Sequence, residues 1–391
     1  MSQSDRRTVL VTFGTRPEAI KMCPLVAELR RRAAFRTVVC VTGQHRSMLD
    51  QVLRAFDVVP DYDLSIMRPG QDLFDITVDV LDRFRAVVDA VRPDICLVHG
   101  DTTTAFAAAL ACFYQRVPVG HVEAGLRTYD LANPYPEEFN RQAVDSIATL
   151  CFAPTALSRE HLLREGKPDD SVFVTGNTVI DALQTTVRTD YTHPELDWAA
   201  GSRLLLITAH RRENLGDPMR AMFRAIRRVV EDLPDVKAVY PVHLNPAVQA
   251  AAAAELGGCS RLRLVEPLDA LDFHNFMARS HIILTDSGGI QEEAPSLAKP
   301  VLVMRSTTER PEGVAAGTLR LVGTDEETVY THLRQLLDDA TAYERMARAT
   351  NPYGDGRASQ RIADILATVT LQGSGGWCSA TVPPRSGDAG R

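Results

Sequence analysis

The chain lacks any apolar stretch close to the roughly 18 residues that a membrane-spanning helix needs. Its first residues, MSQSDRRTVLVTFGTRPEA, contain too short an apolar segment for a signal peptide. The formal net charge of the 391 residues is -7, which argues against a non-specific nucleic-acid binder. We therefore expect a soluble protein with neither a membrane nor a nucleic acid as partner.

Paired cysteines and metal-binding motifs are also lacking. Seven cysteines are scattered singly without a C-x-x-C, and most lie in apolar runs, which predicts reduced core residues in a cytoplasmic protein. The sequence has no H-E-x-x-H and no clustered His/Cys spacing, so we expect no metal site. Neither G-x-G-x-x-G nor G-x-x-x-x-G-K-[ST] occurs, which excludes a dinucleotide fingerprint and a P-loop.

Short apolar runs alternate with helix-length amphipathic segments, and this rhythm occurs twice. Val- and Ile-rich runs without polar alternation are typical of strands buried on both faces of a parallel sheet. The pattern predicts two doubly wound, Rossmann-like α/β domains facing a central cleft. The predicted strands are Val9–Phe13, Thr37–Val41, Ile95–Val98 and Val117–Val119, then Leu204–Ile207, Ala238–Val242, Leu262–Val265, Ile282–Leu284 and Val301–Val303.

The domain boundary is expected where periodicity is lost and polar residues, Pro and Gly gather, at 185–202. We predict an N-terminal domain over 1–184 and a C-terminal domain over 185–354. A helix at 355–370 is expected to pack back on the first domain. The Gly-, Ser- and Pro-rich residues 371–391 predict a disordered tail.

Chemically capable side chains follow the predicted strands at their carboxyl ends. Ligands of open α/β sheets bind beyond those ends. A single Asp or His after a strand is usually a helix cap or loop residue, but six such segments coincide, three in each half, which predicts a shared ligand cleft. The segments are Gly14–Lys21, His99–Asp101, Gly120–Gly125, Thr208–Asn214, His243–Asn245 and Asp286–Gly289.

A Ser-Gly-Gly turn, Ser287 to Gly289, follows one of these strands. Glycines let backbone N–H groups approach an anion closely, and the positive end of the next helix lies behind them, which predicts a phosphate or diphosphate site. Glu292 and Glu293 are expected on the first turn of that helix. One of them could bind ribose hydroxyls, or both could simply favour the helix N-terminus. The candidate cations for binding this anion are Arg16, Lys21 and Arg310. The alternative is that each of them is a solvated surface charge.

Several carboxylates belong to the predicted rim of the N-terminal domain: Asp101, Glu123 and the pair Glu137-Glu138. Carboxylates close together push their pKa values apart, so that one is protonated and one ionised, as acid–base chemistry needs. His210, from the second domain, could hold or move a proton or bind phosphate.

Long motifs carry a family resemblance. From about Thr8 to about Leu366 the chain resembles the non-hydrolysing bacterial UDP-N-acetylglucosamine 2-epimerases. The motifs, in order, are FGTRPEAIKMCPL, VTGQHRSMLDQV, LVHGDTTTAFAAALA, VGHVEAGLRT, PYPEEFNRQ, TGNTVIDAL, TAHRRENLG, YPVHLNP and LTDSGGIQEEAPSLAKPVLVMRSTTERPE.

The resemblance implies a glycosyltransferase-B-like fold, a homodimer, and a UDP-sugar bound between the domains. It implies interconversion of UDP-N-acetylglucosamine and UDP-N-acetylmannosamine. The C2 proton is removed as UDP leaves by anti elimination, and UDP then adds back to 2-acetamidoglucal. No metal or nicotinamide cofactor is implied.

The resemblance also assigns residues by motif position. Acid–base candidates are Asp101, Glu123 and Glu137, assisted by His210. UDP would be held by Arg16, Lys21, His210, Ser287, Gly288, Gly289, Glu293 and Arg310, with Glu293 on the ribose and Glu292 left at the helix N-terminus. A second, activating substrate molecule would bind at or near Gln44, His45, Gln71, Glu138, Arg212 and His243.

Three other functions fit the same cleft. A hydrolysing epimerase would release N-acetylmannosamine and UDP. A UDP-sugar glycosyltransferase could share the fold, but no apolar or basic acceptor cluster is evident in the N-terminal half. A non-catalytic UDP-sugar sensor would lack the carboxylates, which are all present.

Overall fold

The computed structural model describes residues 6–43, 46–372 and 379–381. The chain divides into two compact units: unit 1 comprises Met1–Ala182 and Gly354–Arg391, and unit 2 comprises Leu183–Tyr353. Each unit is built on its own parallel sheet, which confirms the predicted class of two Rossmann-like α/β domains. None of the described helices is long and apolar enough to cross a membrane.

Unit 1 has a seven-stranded sheet in the order β3-β2-β1-β4-β5-β6-β7, with every pair parallel. Its strands are β1 (Arg7–Phe13), β2 (Phe35–Val41), β3 (Tyr62–Asp63), β4 (Ile95–His99), β5 (Val119–Val122), β6 (Leu150–Ala153) and β7 (Val172–Val174). Its first helices are α1 (Arg16–Arg31), α2 (Arg46–Ala55), α3 (Leu73–Val91), α4 (Thr103–Tyr114), α5 (Glu137–Ile147) and α6 (Ala156–Arg164), with a 3-10 turn at Asp169–Ser171. Helix α7 (Thr178–Thr186) begins in unit 1 and ends in unit 2.

Unit 2 has a six-stranded parallel sheet in the order β10-β9-β8-β11-β12-β13. The strands are β8 (Arg203–Thr208), β9 (Val236–Pro241), β10 (Leu262–Val265), β11 (Ile282–Thr285), β12 (Val301–Val303) and β13 (Leu319–Leu321). The helices are α8 (Pro194–Ala199), α9 (Asp217–Asp232), α10 (Pro246–Leu256), α11 (Ala270–Arg279), α12 (Gly288–Glu293), α13 (Pro311–Ala316), α14 (Glu326–Asp338) and α15 (Ala340–Ala347), with 3-10 turns at Arg212–Asn214 and Ala294–Leu297.

Helix α16 (Ala358–Thr368) belongs to unit 1 although it follows unit 2 in the chain. Its buried residues Ile362 and Leu366 share a core cluster with β1 and α1. Arg32 at the end of α1 binds Asp364 at 2.6 Å, and Asp181 accepts the backbone N–H groups of Ala358 and Ser359, at 3.1 and 2.7 Å. Packing and capping together hold α16 on unit 1.

Two short strands follow α16. β14 (Thr370–Gln372) pairs antiparallel with β15 (Ser379–Thr381). The disorder predicted from Leu371 is wrong for these strand residues, because their backbones pair and Leu371 packs against the core of unit 1. Residues 373–378 and 382–391 lie outside the described part of the chain.

The cysteines lie mainly in the cores. Six of them fall within the described residues, all are free, and five of these are buried. Burial raises the pKa of the Cys23 and Cys40 thiols to about 12, so these thiols are unreactive at neutral pH. The prediction that most cysteines are core residues is confirmed.

Candidate active site

Glu123 directly follows β5 in unit 1. Its φ is 68°, a left-handed backbone conformation that non-glycine residues seldom adopt and that often marks functional sites. The side chain is only 9% exposed and forms an ion pair with Lys21 of α1. The Nδ2 atom of Asn177 donates to the same carboxylate oxygen at 2.9 Å. Lys21 and Glu123, both predicted site residues, thus meet at the end of the sheet.

The charge of Glu123 is set by its neighbours. Burial favours its neutral form, but Lys21 and His99 outweigh burial and hold the pKa of Glu123 well below its ordinary value. His99 Nε2 lies 3.4 Å from Glu123 Oε2, yet this buried nitrogen has no hydrogen-bond partner of good geometry among the described residues. Glu123 is therefore a buried, ionised carboxylate, which is the form that can accept a proton.

A second buried carboxylate, Glu18, lies in α1 and was not among the predicted site residues. It accepts the backbone N–H groups of Gly14 and Thr15, at 3.1 and 2.8 Å, and the Thr102 hydroxyl at 2.8 Å. Burial raises the pKa of Glu18, partly offset by these hydrogen bonds. The T-x-x-E spacing from Thr15 is a capping-box signal that sequence reasoning could have used.

Asp101 follows β4 and is held by helix α5. The Asn140 side chain donates to the backbone carbonyl of Asp101 at 2.9 Å, and Arg141 Nη2 donates to its carboxylate at 2.6 Å. Glu137 is the first residue of that helix. Because residues four apart lie on one helix face, Arg141 places Asp101 on the α5 face that also carries Glu137.

In unit 2, His210 follows β8 and is linked to Asp286, which follows β11. Asp286 is fully buried, and its Oδ2 accepts the backbone N–H groups of His210 and Arg211 at 2.9 Å each and the Asn214 amide at 3.2 Å. Its other oxygen lies 3.5 Å from His210 Nδ1. The two strand ends are therefore tied together through a single carboxylate.

The His210 ring stacks on His243, which follows β9, with ring centroids 5.4 Å apart and planes 13° apart. Burial lowers the pKa of His210, and the neighbouring His243 and Arg211 lower it further, while Asp286 opposes them. His210 is thus neutral at pH 7 and can accept a proton or a hydrogen bond.

The Ser-Gly-Gly turn begins α12, with Ser287 as N-cap. Its side chain makes no capping hydrogen bond, and its backbone N–H donates to Thr285 Oγ1 at 3.0 Å. A Cβ atom on Gly288 would lie 2.8 Å from Glu309 Oε1, whereas one on Gly289 would make only ordinary contact with Glu293, at 3.6 Å. A side chain at position 288 would therefore require Glu309 to move, whereas position 289 has room for one.

Glu309, another residue that the sequence did not point to, closes this turn. Its carboxylate binds Arg211 at 3.0 Å and Arg305 at 2.7 Å. Burial raises its pKa, but backbone and arginine contacts outweigh burial and lower the pKa to about 2. An anion thus already lies beside Gly288 and two arginines.

The position predicted for Glu292 and Glu293 on the first helical turn is wrong. They are the last two residues of the six-residue α12 (Gly288–Glu293), and its first turn holds no acidic residue. Glu292 is buried and forms an ion pair with Arg310, so a charge partner, not the helix dipole, accounts for it. Glu293 Oε2 lies 3.6 Å from His274 Nε2.

Comparison with known proteins identifies the family. The family model for UDP-N-acetylglucosamine 2-epimerase matches residues 27–367. The chain is 59% identical to the UDP-N-acetylglucosamine 2-epimerase of Bacillus subtilis, over 92% of this chain and 94% of that protein. The chain belongs to the UDP-N-acetylglucosamine 2-epimerase family. This confirms the resemblance and the predicted enzyme class.

Two solved structures are similar to this chain along most of its length. S. aureus MnaA, determined with UDP, is 50% identical with a TM-score of 0.84, and covers 92% of this chain and 96% of its own. The UDP-GlcNAc 2-epimerase of Neisseria meningitidis, bound to UDP-GlcNAc, is 48% identical with a TM-score of 0.83, and covers 92% of this chain and 99% of its own.

The positions that the 2-epimerase resemblance assigned to a second substrate molecule differ in exposure. Arg212 and His243 are exposed. Gln71 holds its own loop by binding the backbone of Ile66 and Arg68, at 2.7 Å each. Gln44 and His45 lie outside the described residues.

Glu138, another of the predicted regulatory residues, is completely buried. It accepts the backbone N–H groups of Thr128 and Tyr129, at 3.0 Å each, and the Gln142 amide at 2.7 Å. Burial raises its pKa, but these contacts outweigh burial and lower it. In this structure Glu138 orders the loop before α5.

Arg16, predicted to bind UDP, is the half-buried first residue of α1. The sequence analysis assigned no role to Glu18, although it lies in the predicted segment Gly14–Lys21, and it did not include Glu309, which lies outside the predicted strand ends. His99 and Asp286 lay in predicted segments, but no role was assigned to them. Only the contacts that His99 and Asp286 make in the folded protein distinguish them from ordinary loop residues.

Proposed function

We propose that this protein interconverts UDP-N-acetylglucosamine and UDP-N-acetylmannosamine by inverting C2 of the sugar. The observation that carries the proposal is the buried, ionised Glu123 beside Lys21, in the same unit as Asp101 and Glu137. A desolvated carboxylate is the group that abstracts a proton from a weak carbon acid.

The proposed reaction begins at C2. Glu123 takes the C2 proton, the C1–C2 double bond forms, and the C1–O bond breaks with its electron pair leaving on UDP. A C–H bond beside an acetamido group is a poor acid, so departure of UDP must accompany proton removal. UDP then adds back to the 2-acetamidoglucal while a carboxyl group on the opposite face, Asp101 or Glu137, protonates C2.

UDP departure needs positive partners, because negative charge develops on the leaving oxygen. We propose that the Ser287–Gly289 turn, His210, Arg16, Lys21 and Arg310 receive the diphosphate and that Glu293 binds the ribose. The solved relatives bound to UDP and to UDP-GlcNAc support such a ligand.

We further propose a cytoplasmic homodimer that needs no metal or nicotinamide. The free cysteines of the described chain support a reducing compartment. We also propose that a second substrate molecule binds at Arg212 and His243, which are exposed, and activates the enzyme.

The deciding experiment is the reaction of UDP-N-acetylglucosamine in heavy water, followed by proton NMR. The donor carboxyl group exchanges with solvent, so deuterium should appear at C2 of UDP-N-acetylmannosamine. A hydrolysing epimerase would instead release free N-acetylmannosamine, and a glycosyltransferase or sensor would leave C2 untouched.

An epimerised UDP-sugar that keeps its original hydrogen at C2 would contradict the mechanism. Such a result would require the hydrogen to leave C2 and return to it without exchange with solvent. It would remove the basis for the roles of Asp101, Glu123 and Glu137.

A further inference from the structure

His121 lies in β5, two residues before Glu123, and both of its ring nitrogens are bonded. The residue is completely buried. Nε2 lies 2.8 Å from the backbone oxygen of Gly100, and Nδ1 lies 2.6 Å from Asp145 Oδ1. Gly100 precedes Asp101, so this ring spans the ends of the two strands that lead to Asp101 and Glu123.

The proton positions follow from the partners. A carbonyl oxygen only accepts, so His121 Nε2 must carry a proton. Asp145 also binds Arg127 Nη2 at 2.8 Å and is ionised: burial raises its pKa, but His121 and Arg127 outweigh burial and lower it. An ionised carboxylate only accepts, so His121 Nδ1 donates too.

The second oxygen of Asp145 extends this link to the other turn. Asp145 Oδ2 accepts the backbone N–H of Gly125 at 3.1 Å. Gly100 and Gly125 have φ values of 62° and 85°, so both turns use a conformation that must be held in place. A Cβ atom on Gly125 would lie 2.2 Å from the backbone oxygen of Ser158, so this turn has no room for a side chain.

Asp145 also lies on the helix that organises the other carboxylates. Helix α5 begins with Glu137, carries Arg141 bonded to Asp101, and reaches Asp145 one turn later. Positions 137, 141 and 145 share one face of the helix. The His121–Asp145 pair thus contacts the backbone of both turns that carry proposed acid–base groups: Gly100, next to Asp101, and Gly125, two residues after Glu123.

We propose that His121 and Asp145 are positioning residues that fix the turns bearing Asp101 and Glu123 for proton transfer at C2. The inference rests on the proposed epimerase activity. Neither side chain is assigned to touch substrate; both act through the backbone of Gly100 and Gly125. Misplacement of a reacting group by about 1 Å lowers a rate by about a hundredfold.

The test is Asp145→Asn in the full chain, which keeps the size of the side chain and an acceptor for Gly125 but removes the charge beside His121. We expect kcat to fall by about ten- to a hundredfold, while KM and the affinity for UDP stay within about twofold of wild type. Deuterium uptake at C2 should slow in parallel. Glu165→Gln is the control, because Glu165 binds Arg127 at 2.6 Å but does not bind His121; it should keep normal kcat.

Circular dichroism and thermal unfolding check that each variant is folded. If Asp145→Asn does not fold, the double variant His121→Gln with Asp145→Asn decides, because it buries no lone charge. Normal kcat in a folded variant, or equal loss of kcat and UDP affinity, would overturn the inference. Failure of both variants to fold would also overturn it, since the pair would then serve the fold as a whole. An inactive wild type would instead refute the proposed function.

Discussion

A carboxylate oxygen of Glu309 lies 2.8 Å from the point that a Cβ atom would occupy on Gly288. The same carboxylate binds Arg211 and Arg305. The turn after β11 therefore holds a negative group at the place proposed for the diphosphate, and a ligand anion arriving there would have to displace or rearrange it.

Gly288→Val should nearly abolish UDP binding, because a β-branched side chain would meet Glu309 and block anion approach to the backbone amides. Ser287→Ala should weaken binding only modestly, since the Ser287 side chain makes no capping hydrogen bond. Isothermal titration with UDP measures both. Unchanged affinity in the Gly288→Val protein would refute the diphosphate site.

Glu309→Gln should tighten UDP binding, because it removes a negative charge beside Gly288 and frees Arg211 for the diphosphate. Asp338→Asn is a matched control on a surface helix, where the carboxylate pairs with Arg334. Titration at two salt concentrations should show a gain that shrinks at high salt. Weaker binding would mean that Glu309 holds the arginines in their binding positions instead.

Lys21→Met should move the acid limb of the pH–rate profile to higher pH. The Glu123 pKa is depressed in the folded protein mainly by Lys21, against burial, so the active, ionised form persists until the pH falls through that lowered pKa. Without the lysine charge, burial raises the pKa and protonation begins at higher pH. Lys21→Arg keeps the charge and should shift the limb less. An unmoved acid limb in Lys21→Met would show that ionisation of Glu123 does not limit the rate.

Asp101→Asn, Glu123→Gln and Glu137→Gln should each lower turnover by about a hundredfold or more, the scale of losing a general acid or base. Affinity for UDP should change little, since these residues act on the sugar. Steady-state kinetics with parallel titration separates the two effects. Near-normal turnover in any one variant would remove that residue from the acid–base set.

Arg310→Met should destabilise the protein by about 3–5 kcal/mol, because the buried Glu292 carboxylate loses its arginine. The double variant with Glu292→Gln should recover most of that loss. Urea unfolding gives the free energies, and UDP titration of the double variant then reports any contribution of Arg310 to binding. Wild-type stability in the single variant would show that the ion pair is unimportant for folding.

The fold was largely predictable because strands buried on both faces leave continuous Val- and Ile-rich runs. Strand β5 shows where the signal fails: predicted as Val117–Val119, it spans Val119–Val122. Gly120 and His121 resemble loop residues, yet a Cβ on Gly120 would lie 2.6 Å from a Leu97 methyl carbon. This glycine is required by close packing inside the sheet, which a local pattern cannot reveal.

For the candidate site, the sequence predicted which strand ends carry it but not which side chains pair there. Topology explains why: parallel strands bring their carboxyl ends to one edge of each sheet. The pairing of Lys21 with Glu123, or of Glu292 with Arg310, depends on side-chain directions set by packing between distant segments. Glu309 was missed for the same reason, because its position beside Gly288 is set by the fold.

Because α16 belongs to unit 1 while unit 2 is one continuous segment, unit 2 is an insertion within unit 1. A ribosome therefore completes every residue of unit 2 before it makes Ile362 and Leu366, which fill the core beside β1 and α1. Domains usually fold as their last residues emerge. Here the half of the protein that is synthesised first should be the half that finishes folding last, and its exposed apolar surface should be the part that needs protection during synthesis.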